Sequence, residues 1–257
     1  MQIRISEAIV LRHIDYGEAD RIVSLLTLDQ GLLKGFARGA RKSRKRFGPA
    51  LEPFAQVRVT WKDGGRGDLV SLQEAELVDL RTGLRGELTS LALAAYGCEL
   101  IEEFSSAGEV HEEMFFLLRA FLDALQQGEG LSECRSLFEL RLLNLVGYIP
   151  HLLHCSACGG GLPEDDICFA AEQGGPLCRA CEGDGRGLRV SQLTLGSLSR
   201  CLRGPLEQFA GVRFGTRTRQ EAENLLHQAL RTCLHRPLKT AVFLDRVWPF
   251  HETGKGL

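Results

Sequence analysis

No stretch of this 257-residue chain is both long and free of polar groups. The longest run without a charged side chain, residues 142–163, carries Asn144, Gly147, Pro150, His151 and His154, which hydrocarbon would accept only at high desolvation cost, so no membrane span is expected. Residues 1–13 alternate charged and apolar side chains and lack the apolar segment of a secretory leader. Repeats and low-complexity tracts are missing as well. The nine cysteines are an odd number, too few for a disulfide framework, which points to a reducing, cytoplasmic setting and a metal site.

Catalytic signatures are equally scarce. Residues 35–43 pass for a phosphate loop at a glance, but the position before Lys42 is Arg41 rather than glycine. His111-Glu112 opens like a zincin helix without its second histidine. Glu102-Glu103 and Glu112-Glu113 are neighbours on predicted helices, where adjacent side chains diverge, so they are expected to be solvated charge rather than acid-base dyads. No enzyme and no small-molecule substrate are expected; binding is the favoured class.

Charge, by contrast, is abundant and segregated. The formal net charge is only -2, yet residues 34–46 hold seven basic side chains and no acidic one: Lys34, Arg38, Arg41, Lys42, Arg44, Lys45 and Arg46. Residues 81–140 carry eleven acidic and four basic residues, and residues 200–240 turn basic again with eight against three. A basic run is most often a solvated face. Here Phe36, Phe47, Phe54 and Trp61 are interleaved with it or follow it. For any one of them core filling outweighs base stacking, with Phe47, inside the charged loop, the best stacking candidate.

Five strand-like runs occupy residues 7–14, 21–28, 32–38, 55–61 and 68–74. In the fourth, Val57, Val59 and Trp61 alternate with Gln56, Arg58 and Thr60, the period of a half-buried strand. Asp29-Gln30-Gly31 and the glycine-rich 63–67 predict hairpin turns. Five short strands in about eighty residues suit a small barrel such as an OB-fold, whose charged groove takes single-stranded nucleic acid. The basic run, closed by Gly48-Pro49 and Pro53, is placed on a rim loop.

After Arg81 the period becomes helical. Helices are predicted over 88–104, along the stripe Val110, Met114, Leu117, Leu118, Phe121, Leu122 and Leu125, and from Ser132 to the breakers Gly147 and Pro150. The acidic block is expected on their solvent faces. Ser191 should cap another helix, with Val190 and Leu195 as a hydrophobic staple, and Thr218-Arg219-Gln220-Glu221 reads as a capping box for a helix closed by Pro237. The resulting division is a nucleic-acid-binding barrel over 1–80, a helical domain over 81–150 and 188–250, a cysteine insertion over 151–187 and a loose tail over 251–257.

Cys155-x2-Cys158, nineteen residues, then Cys178-x2-Cys181 is a specific pattern. Two knuckles supply the four soft ligands of tetrahedral zinc, and four protein ligands leave no place for an activated water, so one structural Zn2+ is expected. Cys98, Cys134, Cys168, Cys201 and Cys233 read as packed thiols. His154 adjoins Cys155 but is not needed as a ligand.

The run Ala8-Ile9-Val10-Leu11, then Tyr16-Gly17-Glu18-Ala19-Asp20-Arg21-Ile22-Val23, Thr27, Gly31, Ala37-Arg38-Gly39-Ala40-Arg41-Lys42 and Leu51-Glu52-Pro53-Phe54 resembles the amino terminus of the RecO family of bacterial recombination mediators. The distal cysteines resemble those of its zinc-bearing members. This resemblance implies an α+β protein, an amino-terminal five-stranded OB-fold barrel followed by a helical domain carrying a four-cysteine zinc knuckle. It further implies a non-catalytic, cytoplasmic, nucleoid-associated role in DNA repair and recombination: binding single- and double-stranded DNA, annealing complementary strands, and loading recombinase with RecR onto DNA coated by single-strand-binding protein, whose carboxyl-terminal tail it contacts. Arg213, Arg217 and Arg219 are secondary candidates for DNA or tail contacts. The alternative is a zinc-stabilised adaptor that touches RNA or the ribosome.

Overall fold

The computed structural model describes residues 2–63, 69–106, 108–149, 151–184 and 187–248. The expected turn glycines of 64–67, the breaker Pro150 and the tail 251–257 lie outside them. The chain divides into two compact units, residues 1–128 and 129–257.

Strands β1 (Ile3–Tyr16), β2 (Asp20–Thr27), β3 (Gly31–Ala37), β4 (Gln56–Lys62) and β5 (Val70–Asp79) close a barrel in the order β1-β2-β3-β5-β4. Both predicted hairpins, β2–β3 and β4–β5, are antiparallel pairs, and β3 meets β5 in parallel. The first strand is longer than its periodicity indicated because it serves two neighbours: Ile3 to Ile9 pair with β4, and Ala8 to Tyr16 with β2. The register slips between Val10 and Arg12, leaving Leu11 without a cross-strand partner. Such a bulge reverses the faces beyond it. Ala8 and Val10 therefore enter the core, while Ile14 and Tyr16 end outside it.

The barrel core gathers Ala8, Val10, Val23, Leu25, Ala37, Val57, Val59, Trp61 and Leu72, the inward halves of five alternating strands. Helices α1 (Leu88–Phe104) and α2 (Glu112–Leu125) complete the first unit, α1 lying against β1 and α2. Val110 falls before α2 and is exposed, so the stripe begins at Met114. Arg81, buried with left-handed φ of 50°, donates to the carboxylate of Asp123 at 2.8 Å, to the Phe54 carbonyl at 2.9 Å and to the Gln56 amide oxygen at 3.0 Å, tying α2 to the barrel.

In the second unit, α3 (Leu131–Leu145) packs with α4 (Gln192–Arg203) and α5 (Thr216–Cys233). A small sheet of β6 (Ile167–Ala170), β7 (Gly175–Leu177) and β8 (Leu188–Val190) and a final helix α6 (Lys239–Val247) have no counterpart in the sequence reading. Strands of three or four residues are too short to show a period.

Two expectations fail. The acidic block is not uniformly on solvent faces: α3 is buried on all sides, Glu139 pairs with Arg135 at 2.8 Å, and Glu133 accepts from Arg219 and from the Phe214 N–H. Glu102 is likewise mostly covered and accepts from Arg12 at 2.7 Å. Thr218-x-x-Glu221 does not form a capping box either, because α5 already begins at Thr216.

Ser191 does cap α4, accepting from the Thr194 N–H. Glu221 serves that cap: it accepts from the Ser191 N–H at 2.9 Å, from the hydroxyls of Ser191 and Thr194, and from Arg217 at 2.7 Å. Burial raises the Glu221 carboxyl, but these donors outweigh it and bring it from 4.5 down to about 2. A carboxylate depressed by folding stabilises the native state above its unfolded value and loses that contribution as pH falls through the folded one. The stability difference between the protein and Glu221→Gln, measured by urea unfolding, should therefore be largest above pH 4.5 and shrink between about 4.5 and 2. A difference independent of pH would show that the carboxylate charge is not what the cap uses.

Candidate nucleic-acid interface and thiol cluster

All seven basic residues of 34–46 are exposed. Lys34 stands on β3; the other six follow in a run of turns that leads into a short 3-10 segment at Gly48–Leu51. The run is held at both ends. Gly39 N–H donates to the Asp20 carboxylate at 2.7 Å and Arg41 N–H to the Ala19 carbonyl at 2.9 Å, fixing its start to the β1–β2 turn. Its far end is bound where the Ala75 N–H of β5 donates to the Arg46 carbonyl at 2.9 Å. Arg46 also donates back to the Arg38 carbonyl at 2.7 Å, closing the loop across its base.

Two of the cations are partly neutralised or engaged: Arg41 lies 3.5 Å from Asp15 and donates to the carbonyls of Gly17 and Glu18, and Arg46 lies over the Phe47 ring at 5.0 Å. Among the described residues, Lys34, Arg38, Lys42, Arg44 and Lys45 have neither an acidic partner nor a side-chain hydrogen bond. Four such cations on a pinned loop, with Lys34 on the adjoining strand, form a fixed positive field suited to a polyanion.

Phe47 corrects the stacking expectation. Its ring is only 2% exposed and belongs to the barrel core with Ala40, Ala50, Leu51 and Ala55, so it is not offered to a base. A large aromatic at the open end of a small barrel removes more apolar area from water as a plug than as a flag, and no local pattern tells which face the turn will present. Trp61 and Phe54 are buried as well, whereas Phe36 is half-buried.

The three candidate arginines after residue 200 each have an acidic neighbour and remain partly exposed. Arg219 is bound to Glu133 at 3.0 Å and Arg217 to Glu221 at 2.7 Å, while Arg213 lies 3.8 Å from Glu129. Arg141, which no motif marked, is buried and donates to the carbonyls of Leu206 and Gln208, both at 2.9 Å, with Phe209 against its guanidinium.

The second site is the thiol cluster. The sulfurs of Cys155, Cys158, Cys178 and Cys181 all lie within 4.8 Å of one another, with Cys158 and Cys178 3.8 Å apart. None is in a disulfide. A tetrahedron with metal–sulfur bonds of about 2.3 Å has edges of roughly 3.8 Å, so the set can hold one ion. Each knuckle is a tight backbone turn: Gly159 N–H donates to the Cys155 carbonyl at 2.8 Å, Cys155 N–H to the Gly160 carbonyl at 2.9 Å, and Cys181 N–H to the Cys178 carbonyl at 3.0 Å. Gly159 takes φ of +72°, which a side chain would resist. Ser156 N–H to the Pro176 carbonyl, 2.9 Å, joins the knuckles through β7.

Burial raises the Cys155 thiol, yet N–H groups of Cys178, Cys158 and Ala157 dominate and bring it to about 6, in thiolate territory at neutral pH. Hydrogen bonding to the sulfurs of Cys178, Cys158 and Cys155 pushes Cys181 up to about 12. His154 is not in the cluster. Cys98, Cys134, Cys168 and Cys233 are buried, and Cys201 is half-buried.

The family model "Recombination protein O N terminal" matches residues 1–81 and "Recombination protein O C terminal" residues 85–241. Among curated relatives, the DNA repair protein RecO of Syntrophotalea carbinolica is 50% identical over 94% of both chains. Those of Geobacter metallireducens and Pelobacter propionicus are 40% and 39% identical, over 95% and 94% of this chain and 98% and 96% of theirs.

Replacing Phe47 should therefore act on stability before it acts on ligand. Phe47→Ala is expected to cost about 3–5 kcal/mol, read by chemical denaturation, whereas Phe47→Leu should retain most of the fold. A Phe47→Ala protein of unaltered stability would remove the ring from the core.

Proposed function

This chain belongs to the RecO family of DNA repair proteins, and on that premise we propose that it is a non-catalytic, DNA-binding recombination mediator. The observation that carries the proposal is the stretch of 34–46, the end of β3 and the loop after it, where five cations have no acidic partner among the described residues and are held on a closed barrel. Lys34, Arg38, Arg41, Lys42, Arg44, Lys45 and Arg46 are its DNA contacts. Phe47 serves by anchoring the loop rather than by touching a base.

Annealing requires two phosphate backbones to approach, and their repulsion falls when fixed cations stand between them. Guanidinium and ammonium groups at phosphates read no sequence, so single strands of any composition, and duplexes, are accepted. The family resemblance further supports action with RecR on DNA covered by single-strand-binding protein, whose tail is taken by the helical domain, in a cytoplasmic, nucleoid-associated setting. In this reading the barrel of 1–80 takes the polyanion, and the helical segments of 81–150 and 188–250, of which α1 and α2 share the barrel's compact unit, take protein partners together with the cysteine insertion of 151–187.

The four cysteines would hold one Zn2+, which supplies a structural cross-link and no open coordination position. The chain's own contribution is the pair of preformed turns that bring two cysteine pairs, with nineteen residues between them, to one point.

Replacing Arg41, Lys42, Arg44, Lys45 and Arg46 together by alanine should leave the circular dichroism and melting cooperativity intact while lowering DNA affinity. The salt dependence should flatten by about 0.7 log units per log unit of salt for each single-strand phosphate that is no longer neutralised. An unchanged titration would exclude the loop as the main contact. Elemental analysis of protein purified under reducing conditions should find one zinc per chain. Cys155→Ala should lose it and expose the segment of 151–187 to protease, since metal binding is coupled to folding; metal-free protein of undiminished protease resistance would contradict the site's structural role.

A further inference from the structure

Beyond the loop, the outer face of the barrel carries an aromatic feature that charge alone does not explain. The register sets Ile14 of β1, Ile22 of β2 and Phe36 of β3 side by side across three strands. Their neighbours Val23 and Ala37 point into the core, so this row points out. Tyr16, two residues beyond Ile14 on the same face, reaches the Phe36 ring edge-on, with centroids 5.8 Å apart at 79°. Tyr16 is 57% exposed and Ile14 52%. The bulge at Leu11 creates this arrangement, because without it Ile14 and Tyr16 would share the core face of Ala8 and Val10.

The surroundings choose the ligand. Lys34 lies two residues before Phe36 and Arg38 two after it, both exposed and both without an acidic partner among the described residues. The nearby acids are largely used: Asp15 pairs with Arg21 and Arg41, and Asp20 accepts the Gly39 N–H. The basic loop is hydrogen-bonded to the turn that immediately follows Tyr16, through Arg41 to the Gly17 and Ala19 carbonyls. An apolar peptide would need no such cations. An aromatic surface flanked by uncompensated cations matches a chain of π-faced groups on an anionic backbone.

We propose that Tyr16 and Phe36 form a stacking platform for unpaired bases of single-stranded nucleic acid, with Lys34 and Arg38 holding the flanking phosphates. Resting on the DNA-binding reading above, it divides that reading in two. The loop attracts any polyanion, whereas the platform takes only bases that have left a duplex, since paired bases present no free face. The platform thereby sets the preference for single strands that the loop cannot supply.

Fluorescence anisotropy with a labelled oligo-dT, a blunt duplex of equal length and an abasic strand with the same number of phosphates separates the two parts. Tyr16→Ala should weaken oligo-dT binding by about 5- to 150-fold, leave the duplex within about twofold and keep the salt slope, while Tyr16→Phe, which retains the ring, should bind as the unaltered protein does. The abasic strand should bind the protein and Tyr16→Ala alike. Equal weakening for oligo-dT and duplex, or no weakening, would overturn the platform while leaving the DNA-binding reading in place. Failure of the unaltered protein to bind any of the three would overturn both. Reduced affinity for a short acidic, aromatic peptide with undiminished oligo-dT binding would assign the face to a protein partner and reject the proposal.

Discussion

Like charges within a few ångströms of one another repel, and a loop with seven cations in thirteen residues would spread into solvent if nothing restrained it. The restraint is apolar. Phe47 and Ala40 are buried in the barrel core, the first just past the end of the charged stretch and the second at its middle, and the hydrogen bonds of Gly39 to Asp20 and of Ala75 to Arg46 close the remaining freedom. Burying one large aromatic is worth about 1.5–3 kcal/mol, comparable with several weak surface repulsions together. The electrostatic surface therefore exists because a hydrophobic residue inside it is given over to the core.

The second unit solves a different problem. The large apolar residues of 151–187 are Leu152, Leu153, Leu162, Ile167, Phe169 and Leu177, and its two strands, β6 and β7, are only four and three residues long. Four thiols within reach of one ion are the remaining means of tying it down. Elsewhere in that unit, several buried charges have partners, Glu133 in Arg219 and the Phe214 N–H, Glu139 in Arg135, and Arg141 in two carbonyls, while the Nε atoms of Arg141 and Arg219 have none among the described residues. Glu221 joins the start of α4 to α5 in the same way. Such pairings lower the cost of removing charge from water only while both partners remain.

Where the sequence pattern is local, it was legible. Val57, Val59 and Trp61 alternate into the core as their period requires, Ser191 caps its helix, and the cysteine spacing closes into a cluster. What could not be read depends on distant neighbours. Nothing near Leu11 announces the bulge that turns Ile14 and Tyr16 outward, because a slip of register is decided by β2. The burial of Phe47 depends on the space left by Ala40, Ala50 and Ala55. Thr218 and Glu221 have the spacing of a capping box, but the hydroxyls of Ser191 and Thr194 claim the carboxylate. Helix α6 buries only Leu244 and so left little periodicity to detect.

Closure of the barrel bears on how many copies can work side by side. Every barrel strand has a neighbour on both flanks over part of its length. Of the stretches paired on one side, which include both ends of β1 and the end of β5, the start of β3 carries Lys34 and is crowded at Gly31, where the Glu109 carbonyl occupies the space of any side chain. The strands of the small distal sheet are only three or four residues long. Copies of this chain brought close together are thus offered only short lengths of unpaired strand, which limits the backbone-to-backbone zippering that turns dense protein arrays into insoluble fibres.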